Sequence, residues 1–157
     1  MNMVGTILYT AESSSGIISF ELAYSPARAY QIINSWSTSA QLRAAFIQGL
    51  DFLFPLVYST MFGIGSIMAG GVLRIRGKPF ARWGVILAWG LWLAAICDYI
   101  ENIALITLLF GRVVSPFPEI AGVCAVIKFA MILIGSIYII YGLVMRIIPQ
   151  RLTRAAT

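Results

Sequence analysis

The 157 residues contain no histidine and only two cysteines. The first absence removes the side chain that most often serves as a general base at neutral pH, the common haem ligand and most zinc sites. The second leaves Cys97 and Cys124 as the only possible disulfide. Charge is scarce as well, at 11% of residues, against about 25% in soluble domains. So few charges cannot cover a soluble surface, and the mean hydropathy of +0.89 points the same way. No phosphate-binding loop, nucleophile elbow or metal-spaced cysteine pair occurs. The sequence therefore names no catalytic residues, no metal ligands and no cofactor.

What it does have is long apolar runs. About 20 apolar residues cross a bilayer core of about 30 Å, and three segments qualify, 52 to 73, 83 to 110 and 119 to 145. The expected fold is an all-α membrane protein, three transmembrane helices in a bundle with an N-terminal amphipathic interfacial helix. The opening residues lack the basic start and long apolar core of a signal peptide. Glu12, Glu21 and Arg28 also interrupt them too often for a span. Residues 1 to 24 read as an extended N-terminal arm, with a weak alternation in IISFEL.

Ser25-Pro26 is a helix start, a cap followed by proline at the first helical position. Ala29, Ile32, Ile33 and Trp36 then share one face, opposite Arg28, Gln31 and Ser35, as suits a helix lying on the outer membrane surface. Thr38 to Gln41 reads as a capping box. The helix it opens carries an apolar stripe of Leu42, Ala45, Phe46, Gly49 and Leu53 that leads into the first span. Continuous from 39 to 73, it would be about 52 Å long. Pro55 is expected to bend it and to free the carbonyl of Asp51. The chain thus divides into an arm (1 to 24), amphipathic interfacial helices (25 to 51), the three-span bundle (52 to 145) and a basic cytoplasmic tail (146 to 157).

Orientation follows from the cations, because short cytoplasmic loops collect Lys and Arg. Arg74, Arg76, Lys78, Arg82, Arg146, Arg151 and Arg154 fall on one side, and only Arg28, Arg43 and Arg112 on the other. The N-terminus is expected outside and the C-terminus in the cytoplasm. The net charge of +5 is then a topology signal. With no soluble face to gather it, nucleic acid is not an expected partner. Hairpin symmetry about residues 114 and 115 places Cys97 and Cys124 roughly 12 Å apart in depth, which argues against a disulfide.

Within the spans, small residues recur at helix-packing intervals. Ser59, Gly63, Ser66 and Gly70 line the first, Gly84, Ala88 and Ala95 the second, and Gly135 and Gly142 the third. The second stripe continues into Asp98 and Asn102. Glu101 and Lys128 each lie about 13 residues from the turn, hence at equal depth, and are natural partners. Asp98 is one turn deeper on nearly the same face, and Asp51 approaches from the outer end of the first span. An unpaired charge at the bilayer centre costs about 2.5 to 3.5 kcal/mol on the insertion scale. Asp51, Asp98, Glu101, Asn102 and Lys128 are therefore expected to form one intramembrane polar cluster. It would serve chiefly to tie the hairpin, with proton or ion handling and a lipid or head-group site as the alternatives.

The order SPARA (25 to 29) to Trp36, DFLFPLVY (51 to 58), CDYIEN (97 to 102) and Lys128-Phe129 resembles a group of small uncharacterised bacterial integral membrane proteins. The DFLFPxxY and DxxEN segments carry the resemblance, which runs from about residue 18 to 145. It implies a bacterial inner-membrane location and that the five polar residues belong together; it implies no activity. The expected role is a small non-enzymatic accessory or structural subunit that contacts lipid and either other membrane subunits or copies of itself. A small proton- or ion-coupled transporter, or a lipid-binding or lipid-modifying protein, is the alternative.

Overall fold

The computed structural model describes residues 6 to 148. A 3-10 turn, Thr6–Leu8, is followed by α1 (Ile17–Glu21), α2 (Pro26–Ser35), α3 (Thr38–Asp51), α4 (Phe54–Ile75), α5 (Trp83–Leu109) and α6 (Phe117–Ile147). There is no strand among the described residues. The last three helices are long and apolar enough to cross a membrane, and they pack on one another as an up-down-up bundle. At 31 residues, α6 is about 46 Å long and exceeds the bilayer core.

Glycine ends two of the spans for the same physical reason. Gly77 and Gly111 take positive φ, of 60° and 90°, a region closed to most side chains. After α4, the N-H of Gly77 bonds to the carbonyl of Arg74 and that of Lys78 to Leu73; after α5, Gly111 bonds to Leu108 and Arg112 to Thr107. Each is the paired bond set of a Schellman motif, which satisfies carbonyls that the helix leaves open.

The helices pack closely where the side chains are smallest. A Cβ on Gly84 would sit 2.5 Å from the Ser66 carbonyl oxygen, one on Gly70 would sit 2.8 Å from that of Ala81, and one on Gly142 would sit 2.4 Å from the Ala69 Cβ. Gly63 and Gly135 are looser, with nearest neighbours at 3.8 and 3.4 Å. Ser59, Ser66, Ala88 and Ala95 are buried at the same seams.

Three expectations need correction. The N-terminal arm is not extended. Residues 17 to 21 form α1, and the arm folds back over α2, α5 and α6. Phe20 and Leu8 are fully buried, and Phe20 meets Trp36 edge-on at 5.4 Å. An apolar core thus forms where strand alternation was too weak to persist. The apolar face of α2 does not lie free on a lipid surface either: Ala29, Ile32 and Ile33 pack with Ala104, Leu105, Leu108 and Ala121. Finally, the helix from 39 to 73 is broken. A turn at Phe52 and Leu53 separates α3 from α4, and Pro55, without an N-H, stands in the first turn of α4, where that group has no helical partner.

Helix starts follow the sequence only in part. Ser25 Oγ accepts from the Arg28 N-H at 3.3 Å, as its position predicts. For α3 the cap is Ser37, accepting from Ala40. Gln41 does not close a capping box; its amide donates to the carbonyls of Ile33 and Trp36 and so braces the α2–α3 corner. Residues 149 to 157, most of the basic tail, lie outside the described residues, as do residues 1 to 5.

Close approach at Gly84 leads to a paired test. Gly84→Ala must push α5 off the α4 backbone and should lower stability by about 1–3 kcal/mol. Gly71→Ala, where nothing lies within 4 Å, should cost nothing. Thermal unfolding in detergent reads both; equal losses would mean that the α4–α5 seam is not packed through Gly84.

Candidate functional site

Lys128 on α6 is the centre of the buried polar group. Its side chain is 6% exposed, yet its ammonium has two anionic neighbours on α5. Nζ donates to Asp98 Oδ1 at 3.1 Å and to Glu101 Oε1 at 3.0 Å, with Glu101 Oε2 at 2.9 Å but poorly aligned for a hydrogen bond. Asp98 and Glu101 are 1% and 0% exposed. The expected Glu101–Lys128 pair is present, but the lysine is shared. Asp98 lies one turn deeper on α5, and the long lysine stem reaches both carboxylates at once.

Asn102, next to Glu101 on α5, is also buried, and it bonds to a partner that the sequence did not suggest. Gln48 on α3, 1% exposed, donates from Nε2 to Asn102 Oδ1 at 3.3 Å. Gln48 follows Ala40 and Ala44 on the inner face of α3, while Leu42, Phe46 and Leu50 point outward. The small and polar face of α3 thus meets the protein, and its apolar stripe faces away.

Tyr58 on α4 adds a hydroxyl. It is 3% exposed and faces Asp98. Neither Tyr58 Oη nor Asp98 Oδ2 makes a well-formed hydrogen bond, and Asn102 Nδ2 is likewise without a partner. Asp51, half-buried at the end of α3, stands within electrostatic reach of Asp98. All five residues expected in the cluster therefore lie in one neighbourhood, with Asp51 at its edge.

Glu21 completes it from above. This residue of α1 is 6% exposed and acts electrostatically on Lys128 and Glu101. Its carboxyl is pushed up to about 7, chiefly by burial; Lys128 opposes that shift, and Asp51 and Asp98 add to it. Sequence reading registered Glu21 only as an interruption in an arm. Its neighbours Phe20 and Leu22 gave no helical period long enough to show which way it points.

The cap that carries Glu21 is held by its own polar links. Trp36 Nε1 donates to the Leu8 carbonyl and to Ser13 Oγ, each at 3.0 Å. Arg28 pairs with the Glu12 carboxylate and donates to its carbonyl oxygen at 2.6 Å. The ring of Tyr24 lies against α6 at Gly122, where any Cβ would come within 2.5 Å of it.

Chemically, the arrangement gathers the carboxyl groups of Asp98, Glu101 and Glu21 about one ammonium, with Asp51 at the edge. Among the described residues, no set of three or more ligating side chains converges as a metal site. Cys97 and Cys124 are free thiols, the latter buried, but they are neighbours across α5 and α6 rather than about 12 Å apart in depth: the hairpin is not symmetric about residues 114 and 115.

Two experiments test this geometry. Lys128→Met should cost about 3–5 kcal/mol, because it strands buried carboxylates. Adding Glu101→Gln should recover only part of that loss, since Asp98 remains; the triple variant with Asp98→Asn should recover most of it. Unfolding in detergent reads the series, and an undiminished Lys128→Met would rule out the pairing. The second concerns pH. Glu21 binds its proton more tightly in the folded cap than in the unfolded chain, so cap docking is strongest below pH 4.5 and weakens as pH rises toward about 7. Hydrogen-exchange protection of residues 17 to 24 should fall across that window in the native protein and stay flat in Glu21→Gln. Protection that rises with pH would show Glu21 to be held as an anion instead.

No family model, curated protein or solved structure matches the chain. Fold likeness to a known protein therefore contributes nothing to its function, which has to come from the cluster itself.

Proposed function

We propose that the chain is a small non-enzymatic accessory or structural subunit of the bacterial inner membrane, with its N-terminus outside and its C-terminus in the cytoplasm. The observation that carries this is the enclosure of Lys128, whose ammonium is bonded to two carboxylates of its own chain under a folded cap. A hydrolytic or transfer site needs room beside its acid and base for a substrate, whereas here the charged atoms occupy one another. The grooves lined by Trp83 and Tyr138, by Leu42 and Ile106, and by Trp89 and Ile67 lie elsewhere on the helices.

Packing supports the same reading. The closest-packing glycines are used inside the bundle, so a partner would meet the larger apolar side chains instead. Leu42, Phe46 and Leu50 on α3, with Met61, Ile64 and Met68 on α4, are each more than half exposed. Such a surface suits lipid and other membrane helices equally.

One observation favours a second reading. Asn102 Nδ2 is buried without a hydrogen-bond partner, and Tyr58 Oη and Asp98 Oδ2 face one another without a well-aligned bond; buried polar atoms of this kind often mark a place for a proton, ion or water. A proton- or ion-coupled transporter would use Asp98 and Glu101 as its titrating groups and Lys128 as their counter-charge.

Native mass spectrometry of the tagged protein, extracted gently from its own membrane, distinguishes the two. The subunit reading expects a complex of fixed stoichiometry with another membrane protein. A chain that leaves the membrane alone or as a homo-oligomer, and that dissipates a pH or ion gradient in vesicles unless Asp98 and Glu101 are replaced, would overturn it in favour of transport.

A further inference from the structure

Phe80, in the α4–α5 connection, has φ of 67°, a conformation that is an outlier for a bulky side chain. Its carbonyl is held there by Tyr138, whose hydroxyl donates to it at 3.0 Å. Burial does not compensate for the strain, because Phe80 is 60% exposed. The conformation instead stands the ring edge-on to Trp83, with centroids 6.1 Å apart. Together they wall one end of a groove between α5 and α6.

The groove has a volume of about 480 Å³ and is lined by Phe80, Trp83, Leu87, Ile137, Tyr138 and Tyr141. That size falls in the usual range for small-ligand sites, about 300–1,000 Å³. Its walls are apolar, and the chain segment that supplies Phe80 and Trp83 to it is cationic. Lys78, two residues before Phe80, and Arg82, directly before Trp83, are exposed, and Arg74 stands in the last turn of α4. Arg76 is already occupied by the carbonyls of Arg146 and Ile148.

No acid is at hand to neutralise the rest. The six carboxylate residues, Glu12, Glu21, Asp51, Asp98, Glu101 and Glu119, belong to the cap and the opposite half of the bundle. Among the described residues, neither Lys78 nor Arg82 forms an ion pair. A strained aromatic wall, an apolar slot and unpaired cations in the adjoining loop together match an amphiphile with an anionic head.

We propose that this groove binds one anionic phospholipid from the leaflet on the basic side, an acyl chain lying along Trp83, Leu87 and Ile137 and the phosphate resting on Lys78 and Arg82. Basic pockets between transmembrane helices recognise anionic head groups in this way. The site is separate from the Lys128 cluster and stands whichever reading of that cluster holds.

Purified full-length protein would be titrated in detergent with phosphatidylglycerol or phosphatidylcholine of identical acyl chains and examined by native mass spectrometry. One phosphatidylglycerol should be retained about tenfold more than phosphatidylcholine. Lys78→Gln with Arg82→Gln should bring it down to the phosphatidylcholine level. Ile137→Trp, which fills the slot from its exposed rim, should reduce retention of both lipids. Equal retention of the two lipids by the native protein, or indifference of phosphatidylglycerol to the charge variant, would overturn the proposal. So would a protein dimer that Ile137→Trp abolishes, since a second copy would then occupy the groove. The charge variant alters exposed loop residues, so its result decides the matter even if Ile137→Trp fails to fold.

Discussion

An ammonium group with no water around it has to find its counter-charge inside the protein, and the bond set of Lys128 meets that requirement. Two acids one helical turn apart on α5 converge on a single nitrogen of α6. This geometry favours one axial offset of the two helices, because a slip of one turn would draw the lysine away from one carboxylate and leave that acid without its counter-charge. The ion pair thereby sets the register of the α5–α6 hairpin, and Gln48 and Tyr58 bring α3 and α4 to the same level.

The cap follows from the same constraint. Carboxyl groups outnumber the one lysine here, and an exposed cluster would be left to water. The chain instead closes this end of the bundle with α1 and α2, using apolar packing around Phe20 and Trp36. Polar anchoring is confined to the cap's own loops, where Trp36, Ser13, Arg28 and Glu12 bond to one another. The cap turns the Glu21 carboxyl inward, which makes cap docking and the charge state of the cluster a coupled equilibrium.

Charge is divided by function along the bundle axis. Acids gather with Lys128 toward the capped end, whereas the opposite end carries arginines and lysine with no carboxylate among them. The first arrangement neutralises itself within the chain. The second leaves its charge outward, where the phosphate groups of a membrane surface are the natural complement.

The presence of three spans was legible from the sequence, because apolar runs of that length have one low-energy environment. So were the glycine at the α4–α5 turn and the pairing of Glu101 with Lys128, although the long lysine stem, rather than an equal depth of the two backbones, closes that pair. The faces of the helices were not legible in that way. An apolar stripe is satisfied against lipid or against protein, so periodicity alone could not tell that α2 buries its stripe while α3 turns its stripe outward. Close packing at the glycine seams and the pull of a buried polar group decided the matter. They also brought Glu21, Gln48 and Tyr58 to residues far away in sequence, contacts that exist only once the helices have packed.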